Sequence, residues 1–290
     1  MVKMLTMDKK IKDFDTFVFD LDGTLYNSQK VISENTRNTI KQLHKLNKNV
    51  IIATGRPYYM NYKIIEDLNI KLPIIAGNGS MIYDVITKQV LFFKSIEKKS
   101  AKNIVDYLEN NKIDYLGYSK FEMIGNNYSN PDWFAKIIYP HLKKDNLYKW
   151  KYEEKEINNF VDEYDFSKFL IITQNISDEK IKELIDFLNT LKNDIYYVSS
   201  AKGVIDIMSK NISKGDALLK LMNLKNITND KSISFGDAAN DIPMLKTTSF
   251  SVAMGNAINE VKETASFVTK TNDEDGVSYF INLLEGKNEC

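Results

Sequence analysis

Cysteine is nearly missing from this 290-residue chain, which carries one, Cys290. A lone thiol cannot close an internal disulfide, so the fold is expected to stand without an oxidising compartment. At the chain's end that thiol reads as a frayed, exposed side chain. Arginine is scarce as well, with only Arg37 and Arg56 in an otherwise lysine-based set of cations. Neither sign of charge is in excess: 39 basic side chains face 39 acidic ones. That balance removes the electrostatic case for nucleic acid or an anionic membrane as the main partner. No apolar run approaches the ~20 residues that span a bilayer, and charge interrupts the opening MVKMLTMDKKIKDFD where a signal peptide would be apolar. There is no internal repeat and no low-complexity tract. The expectation is a soluble, cytoplasmic protein whose 43% apolar content suffices for a substantial core.

What is present is a rhythm of short apolar strands and amphipathic helices. Thr16–Asp20 (TFVFD) and Val50–Ala53 read as buried strands, with a helix over Ser33–Lys48 between them whose N-cap is Ser33. Pro57 opens a further helix to about Asn69, and Pro73–Ala76 is another strand. This alternation predicts an α/β fold with a parallel sheet. The middle differs. Val90–Phe93, a helix over Ile96–Asn111, a paired Tyr115–Tyr118 and Phe121–Ile124, Phe169–Thr173, a helix over Ser177–Leu191 and Ile195–Val198 predict an inserted α+β domain. From Val204 the α/β rhythm returns, with VIDIM, a helix over Ser213–Leu224, Ser232–Phe235, a short helix at Asp241–Lys246, Ser251–Ala253, Phe267–Thr269 and a closing helix at Val277–Leu284. The boundaries that follow are 1–83 and 204–290 for a core and 84–203 for the insert.

Ligands of an open parallel sheet sit beyond the carboxyl ends of its strands. Those ends carry Asp20-Leu21-Asp22-Gly23-Thr24, Thr54-Gly55-Arg56, Gly77-Asn78-Gly79 and Gly236-Asp237-Ala238-Ala239-Asn240-Asp241, with Ser213-Lys214-Gly215 opening a helix at the same rim. Carboxylates gathered in this way repel one another, and burial adds to the cost. A divalent cation would relieve it, and hard oxygen ligands without nearby His or Cys point to Mg²⁺ rather than Zn²⁺. A metal beside a lysine and backbone N–H groups suits a phosphoryl group. A strand-end carboxylate can attack phosphorus and become an acyl phosphate. A second carboxylate two residues on points the same way if the strand persists, and can serve as proton carrier.

The ordered motifs DLDGT, ATGR, SKG and GDAANDIPML resemble those of the haloacid dehalogenase-like (HAD) phosphatases, in the Cof-type (subclass IIB) branch whose cap lies between the second and third motifs. The resemblance spans both core portions, about three-fifths of the chain. It implies a Rossmann-like core with an inserted α+β cap of the C2 type that closes over the rim and selects the substrate. By it, Asp20 is the nucleophile and Asp22 the general acid/base. Asp20, the Asp22 backbone carbonyl and Asp237 would ligate Mg²⁺, with Asp241 behind the metal orienting its waters. Leu21, Thr54, Gly55, Lys214 and Asn240 would hold the phosphoryl oxygens. Ala238 stands where the family often has glycine, and little functional loss is expected from so small a side chain.

Arg56 is left open between a substrate contact and a tie from core to cap, and Asn78 between a turn residue and a polar group facing the substrate. His44 and His141 are expected at the surface or in packing, and Trp133, Phe134 and Tyr139 in the core of the insert. The implied reaction is hydrolysis of small phosphorylated metabolites, sugar phosphates first and flavin or pyridoxal phosphates next. A phosphomannomutase-like phosphosugar mutase is the enzymatic rival, weakened because the cap holds no Arg to grip a second phosphate. A phospholigand sensor is the non-enzymatic rival. It has no use for a nucleophile paired with a proton carrier.

Overall fold

The computed structural model describes residues 9–126, 151–154 and 161–287. The chain forms two compact units: Met1–Gly55, Ile64–Leu91 and Ser213–Cys290 make the first, Arg56–Lys63 and Phe92–Ile212 the second. In chain order the elements up to the second unit are β1 (Thr16–Phe19), α1 (Glu34–Lys45), β2 (Asn49–Ile52), α2 (Tyr62–Asp67), β3 (Ile74–Ala76), β4 (Met81–Asp84) and β5 (Gln89–Phe93). Then come α3 (Lys98–Asn110), β6 (Tyr115–Tyr118), β7 (Glu122–Asn126), β8 (Lys151–Glu154), β9 (Lys168–Ile172), α4 (Asp178–Thr190), β10 (Ile195–Ala201) and β11 (Val204–Ser209). The chain ends with α5 (Lys214–Lys225), β12 (Ser232–Gly236), α6 (Ile242–Thr247), β13 (Phe250–Ala253), α7 (Asn259–Thr264), β14 (Phe267–Val268) and α8 (Gly276–Leu284).

The first unit is built on a five-stranded sheet in the order β14-β13-β12-β1-β2, with every pairing parallel. Its central strands are buried without a break, as a sheet covered on both faces requires. Phe19 stacks on Phe235 at 4.9 Å between ring centroids, and Phe280 of α8 meets Phe235 edge-on at 5.6 Å. Such pairs add about 0.5–1.5 kcal/mol each beyond the area they bury. Ser33 caps α1, its hydroxyl accepting from the Thr36 N–H at 3.0 Å, and the packed face of that helix buries Ile40 and Leu43. His44, on the same helix, is half-buried, with its Nε2 2.9 Å from the Leu68 carbonyl.

The second unit has a six-stranded sheet in the order β10-β11-β9-β6-β7-β8, antiparallel but for the β7–β8 pair. Helices α3 and α4 bury Ile104, Leu108, Leu184 and Leu188 with Phe169, Ile171 and Ile207 of the sheet. Strand alternation puts Lys168 and Asp206 on the other face. There they form an ion pair of 2.8 Å, both buried, with the Lys168 ammonium 5.1 Å from the centre of the Tyr118 ring.

Four expectations need correction. VIDIM is a strand, but as β11 it pairs antiparallel with β9 and β10, so the chain re-enters the first unit at Ser213 and not at 204. The cause is side-chain commitment: Ile205 and Ile207 pack into the insert's core while Asp206 pairs with Lys168. The other edge also moves, from 84 to Phe92, and Arg56–Lys63 joins the second unit. β3 is not a member of the parallel sheet; it pairs antiparallel with β4 and meets β2 only at an isolated Ala53–Ile75 bridge. The single helix expected from Pro57 is a 3₁₀ turn over Tyr58–Met60 followed by the short α2. Trp133, Phe134, Tyr139, His141 and Cys290 lie outside the described residues.

Candidate active site

The register of β1 on β12 creates the site. Phe19 pairs with Phe235, and the Asp20 N–H donates to the Phe235 carbonyl at 3.1 Å. The two strands therefore end side by side, delivering Asp20 and Asp237 to the same rim. Gly23 makes the approach feasible, because it has φ +88° and a Cβ there would fall 2.3 Å from an Asp237 carboxylate oxygen. The Thr24 hydroxyl donates to the other Asp237 oxygen at 3.0 Å.

Lys214 comes from the start of α5. Ser213 is the N-cap, accepting from the Asp216 N–H at 3.1 Å, which sets Lys214 as the first helical residue. A cation is ill placed at a helix N-terminus, and this one is almost fully buried. Two carboxylates compensate: its ammonium donates to Asp20 at 2.5 Å and to Asp241 at 2.6 Å. Asp241 spends its second oxygen on the backbone N–H groups of Asp237 and Ala238, each at 3.0 Å, and so locks the loop after β12. Ala238 is extended, with φ −116° and ψ 166°, a conformation that asks nothing special of the residue.

The turn Gly77-Asn78-Gly79 lies against the start of α5, where a Cβ on Gly79 would be 2.1 Å from the Ser213 carbonyl oxygen. Asn78 adopts a left-handed φ of 57°, its N–H donating to the Thr54 carbonyl at 3.1 Å. Its side-chain oxygen accepts from the Asn240 amide at 2.9 Å, so Asn78 supports Asn240. Leu21 and Thr54 are buried at the same strand ends. Gly55 closes the first unit's first segment, whereas Arg56 falls in the second unit.

Asp22 departs from expectation. β1 stops at Phe19 and residues 21–25 turn, with the Thr24 and Tyr26 N–H groups donating to the Leu21 carbonyl, so strand alternation does not carry through. The carboxylates whose oxygens cluster, all within 4.8 Å, are Asp20, Asp237 and Asp241. The Asp22 carboxylate is instead 37% exposed and pairs with Lys30 at 3.0 Å. Thr24 and Lys30 are the partners that sequence reasoning did not single out. Thr24 at least stood inside DLDGT, but nothing distinguishes Lys30 among so many lysines.

One ammonium against three carboxylates leaves a surplus of negative charge. Burial raises the Asp20 carboxyl well above its ordinary range; Lys214 opposes this, and Asp241 and Asp237 add to it. Asp237 is pushed up to about 7, first by burial and then by Asp241, with Thr24 and Lys214 pulling the other way. For Lys214, burial favours the neutral amine, yet Asp20 and Asp241 outweigh it and hold the side chain firmly protonated. The deficit thus falls on the carboxylates. An all-oxygen donor set with excess charge is what a hard divalent cation fits.

The model of the haloacid dehalogenase-like hydrolases matches residues 17–281, and the chain belongs to that family. It is a phosphatase of the family, a hydrolase acting on phosphate esters. Among similar proteins is the 5-amino-6-(5-phospho-D-ribitylamino)uracil phosphatase YwtE of Bacillus subtilis, 32% identical, with 92% of this chain and 97% of the relative covered. The phosphatase YwpJ of the same organism is 30% identical, over 91% of this chain and 98% of the relative. A solved haloacid dehalogenase-like hydrolase from B. subtilis superposes with a TM-score of 0.78 at 28% identity, covering 92% of this chain and 99% of that one. Among the described residues no helix is long and apolar enough to cross a membrane.

Proposed function

We propose that this chain is a Mg²⁺-dependent phosphomonoester hydrolase for small phosphorylated metabolites, with Asp20 as nucleophile and Asp22 as general acid/base. The observation that carries the assignment is the Lys214 ammonium bridging Asp20 and Asp241 at 2.5 and 2.6 Å, which turns the Asp20 carboxylate into a fixed, oriented nucleophile. Asp20 and Asp237, with the backbone carbonyl of Asp22, would hold the cation, and Asp241 would stand behind it. When bound, Mg²⁺ neutralises the surplus charge and draws electron density from the phosphoryl oxygens.

In the first step an Asp20 oxygen forms a bond to phosphorus while the bond from phosphorus to the leaving oxygen breaks. Asp22 gives that oxygen its proton, so the organic product leaves as an alcohol. In the second step Asp22 takes a proton from water as the water oxygen attacks phosphorus. The acyl phosphate bond then breaks, releasing inorganic phosphate and restoring Asp20. Backbone donors at Leu21 and Gly55, the Thr54 hydroxyl, Lys214 and the Asn240 amide would hold the phosphoryl oxygens as charge moves through them. Asn78 serves by orienting Asn240. The second unit would supply substrate selectivity, with Arg56 as its candidate contact.

For the leaving group, sugar phosphates lead and flavin-pathway phosphates follow closely. The 32% identical relative is named for a phosphoribityl compound. A phosphorylated polyol chain is common to both classes and heads the panel, with pyridoxal phosphate as the member that lacks it. Phosphate release from sugar, ribityl, flavin and pyridoxal phosphates should require Mg²⁺, stop with EDTA, and fall on the order of 10⁴-fold or more in Asp20→Asn. Turnover that survives Asp20→Asn would remove the covalent mechanism.

A further inference from the structure

The segment after Asp22 is built to place one lysine. Asn27 organises a tight turn: its carbonyl accepts from the Lys30 N–H at 3.0 Å and its N–H donates to the Val31 carbonyl at 3.0 Å. Its side-chain oxygen accepts from the N–H groups of Gln29 at 3.1 Å and Val31 at 2.9 Å. Lys30 itself takes a left-handed φ of 60°, which an L side chain adopts at a cost. The segment is also pinned from outside. The Ser28 N–H donates to Asp273 at 2.8 Å, and Asn272 and Asn256 donate to the Tyr26 and Gly23 carbonyls at 2.9 Å each. The product of this framework is the Lys30 ammonium at 3.0 Å from the Asp22 carboxylate.

Stability does not account for the arrangement. Both side chains are substantially exposed, at 65% and 37%, and such pairs contribute little to folding. A strained residue in an otherwise well-bonded turn, ending on the carboxylate beside the nucleophile's strand end, points to chemistry. We propose that Lys30 is a positioning residue for Asp22: its ammonium fixes the rotamer of a half-exposed carboxyl so that the group meets the leaving oxygen. This rests on Asp22 as proton carrier. Lys30 touches neither phosphorus nor the leaving group in this scheme; it acts through Asp22 alone.

The discriminating quantity is kcat/KM, which reports the steps up to departure of the organic product, for two leaving groups. Lys30→Met keeps the stem and removes the charge. With the fastest alkyl phosphate of the panel, whose alkoxide needs a proton, kcat/KM should fall about tenfold, a fraction of what general acid catalysis supplies. With p-nitrophenyl phosphate, whose leaving group departs unprotonated, the fall should stay within about threefold, and Lys30→Arg should restore the alkyl rate. In an Asp22→Asn background Lys30→Met should change nothing further. Equal losses on both esters, no loss on the alkyl ester, or a loss that persists without Asp22 would each overturn the proposal. If Asp22→Asn itself left alkyl turnover intact, the assignment of Asp22 would fall and the role of Lys30 with it. An impaired Asp22→Asn beside an unimpaired Lys30→Met would remove Lys30 only.

Discussion

Each unit of this protein buries a lysine, and the two are solved differently. Lys168 in the insert pairs with the buried Asp206 at 2.8 Å, one charge against one within that pair. Lys214 faces Asp20 and Asp241 directly with Asp237 close by, so the cluster is anionic as a whole. A balanced pair can be closed off by the protein alone. An unbalanced cluster leaves raised carboxyl groups, Asp237 up to about 7 among them, and stays unsatisfied until something positive arrives. Burial and ion pairing are common to both lysines. What separates structural electrostatics from a catalytic centre here is the residual charge.

Charge removal at the two lysines should therefore be read by different instruments. Lys214→Met should lower kcat/KM by about 10²–10³-fold, the usual effect of losing one donor to developing charge, in steady-state phosphate release. Lys168→Met should instead cost about 3–5 kcal/mol in denaturant unfolding by taking the ammonium from the buried Asp206, with much of it recovered in Lys168→Met/Asp206→Leu. A Lys214→Met enzyme of unchanged kcat/KM would erase the distinction, and so would a Lys168→Met protein of unchanged stability.

The surplus charge has a pH signature in the metal-free protein. Asp237 binds its proton up to about pH 7 when folded, but only up to about its ordinary 3.8 when unfolded. Between those values the native state holds more protons, so stability should fall as pH rises from about 4 to about 7, then level off. Asp20 adds in the same direction. Thermal unfolding in EDTA should show this descent. Saturating Mg²⁺ should remove it and add about 2.7 kcal/mol at a hundredfold excess over Kd. A metal-free Tm that climbs through this range would mean that the cluster carries no excess charge.

The residues that do chemistry were legible because each stands where a strand or turn ends and because their order along the chain is diagnostic. Lys214, Asp237 and Asp241 could be placed at one rim before any coordinates. The sheet to which a strand belongs was not legible: VIDIM reads alike in either unit, and only the partners of Ile205, Asp206 and Ile207 decide it. Asp22 was to point the same way as Asp20 only if the strand persisted, and the strand gives way at Phe19 to the turn closed by Thr24 and Tyr26 on the Leu21 carbonyl. Lys30 gave no signal, since its importance lies in a left-handed backbone angle and an ion pair that spans a turn. β4 and α7 escaped notice because both are short, four and six residues, and neither shows a clear period.

The register of β1 on β12 also sets a timetable. Lys214 follows Asp20 by 194 residues, and Asp237 comes later still. At about 5–20 residues per second a ribosome needs roughly 10–40 s to bridge that interval. Until then β1 lacks the neighbour that completes its pairing, and Asp20 lacks both its cation and its rival anions. The insert between them holds a core of its own, so it can fold during the wait. The nascent chain thus lacks the assembled site until Asp237 and Asp241 have been made, and the charge conflict at its centre arises only then.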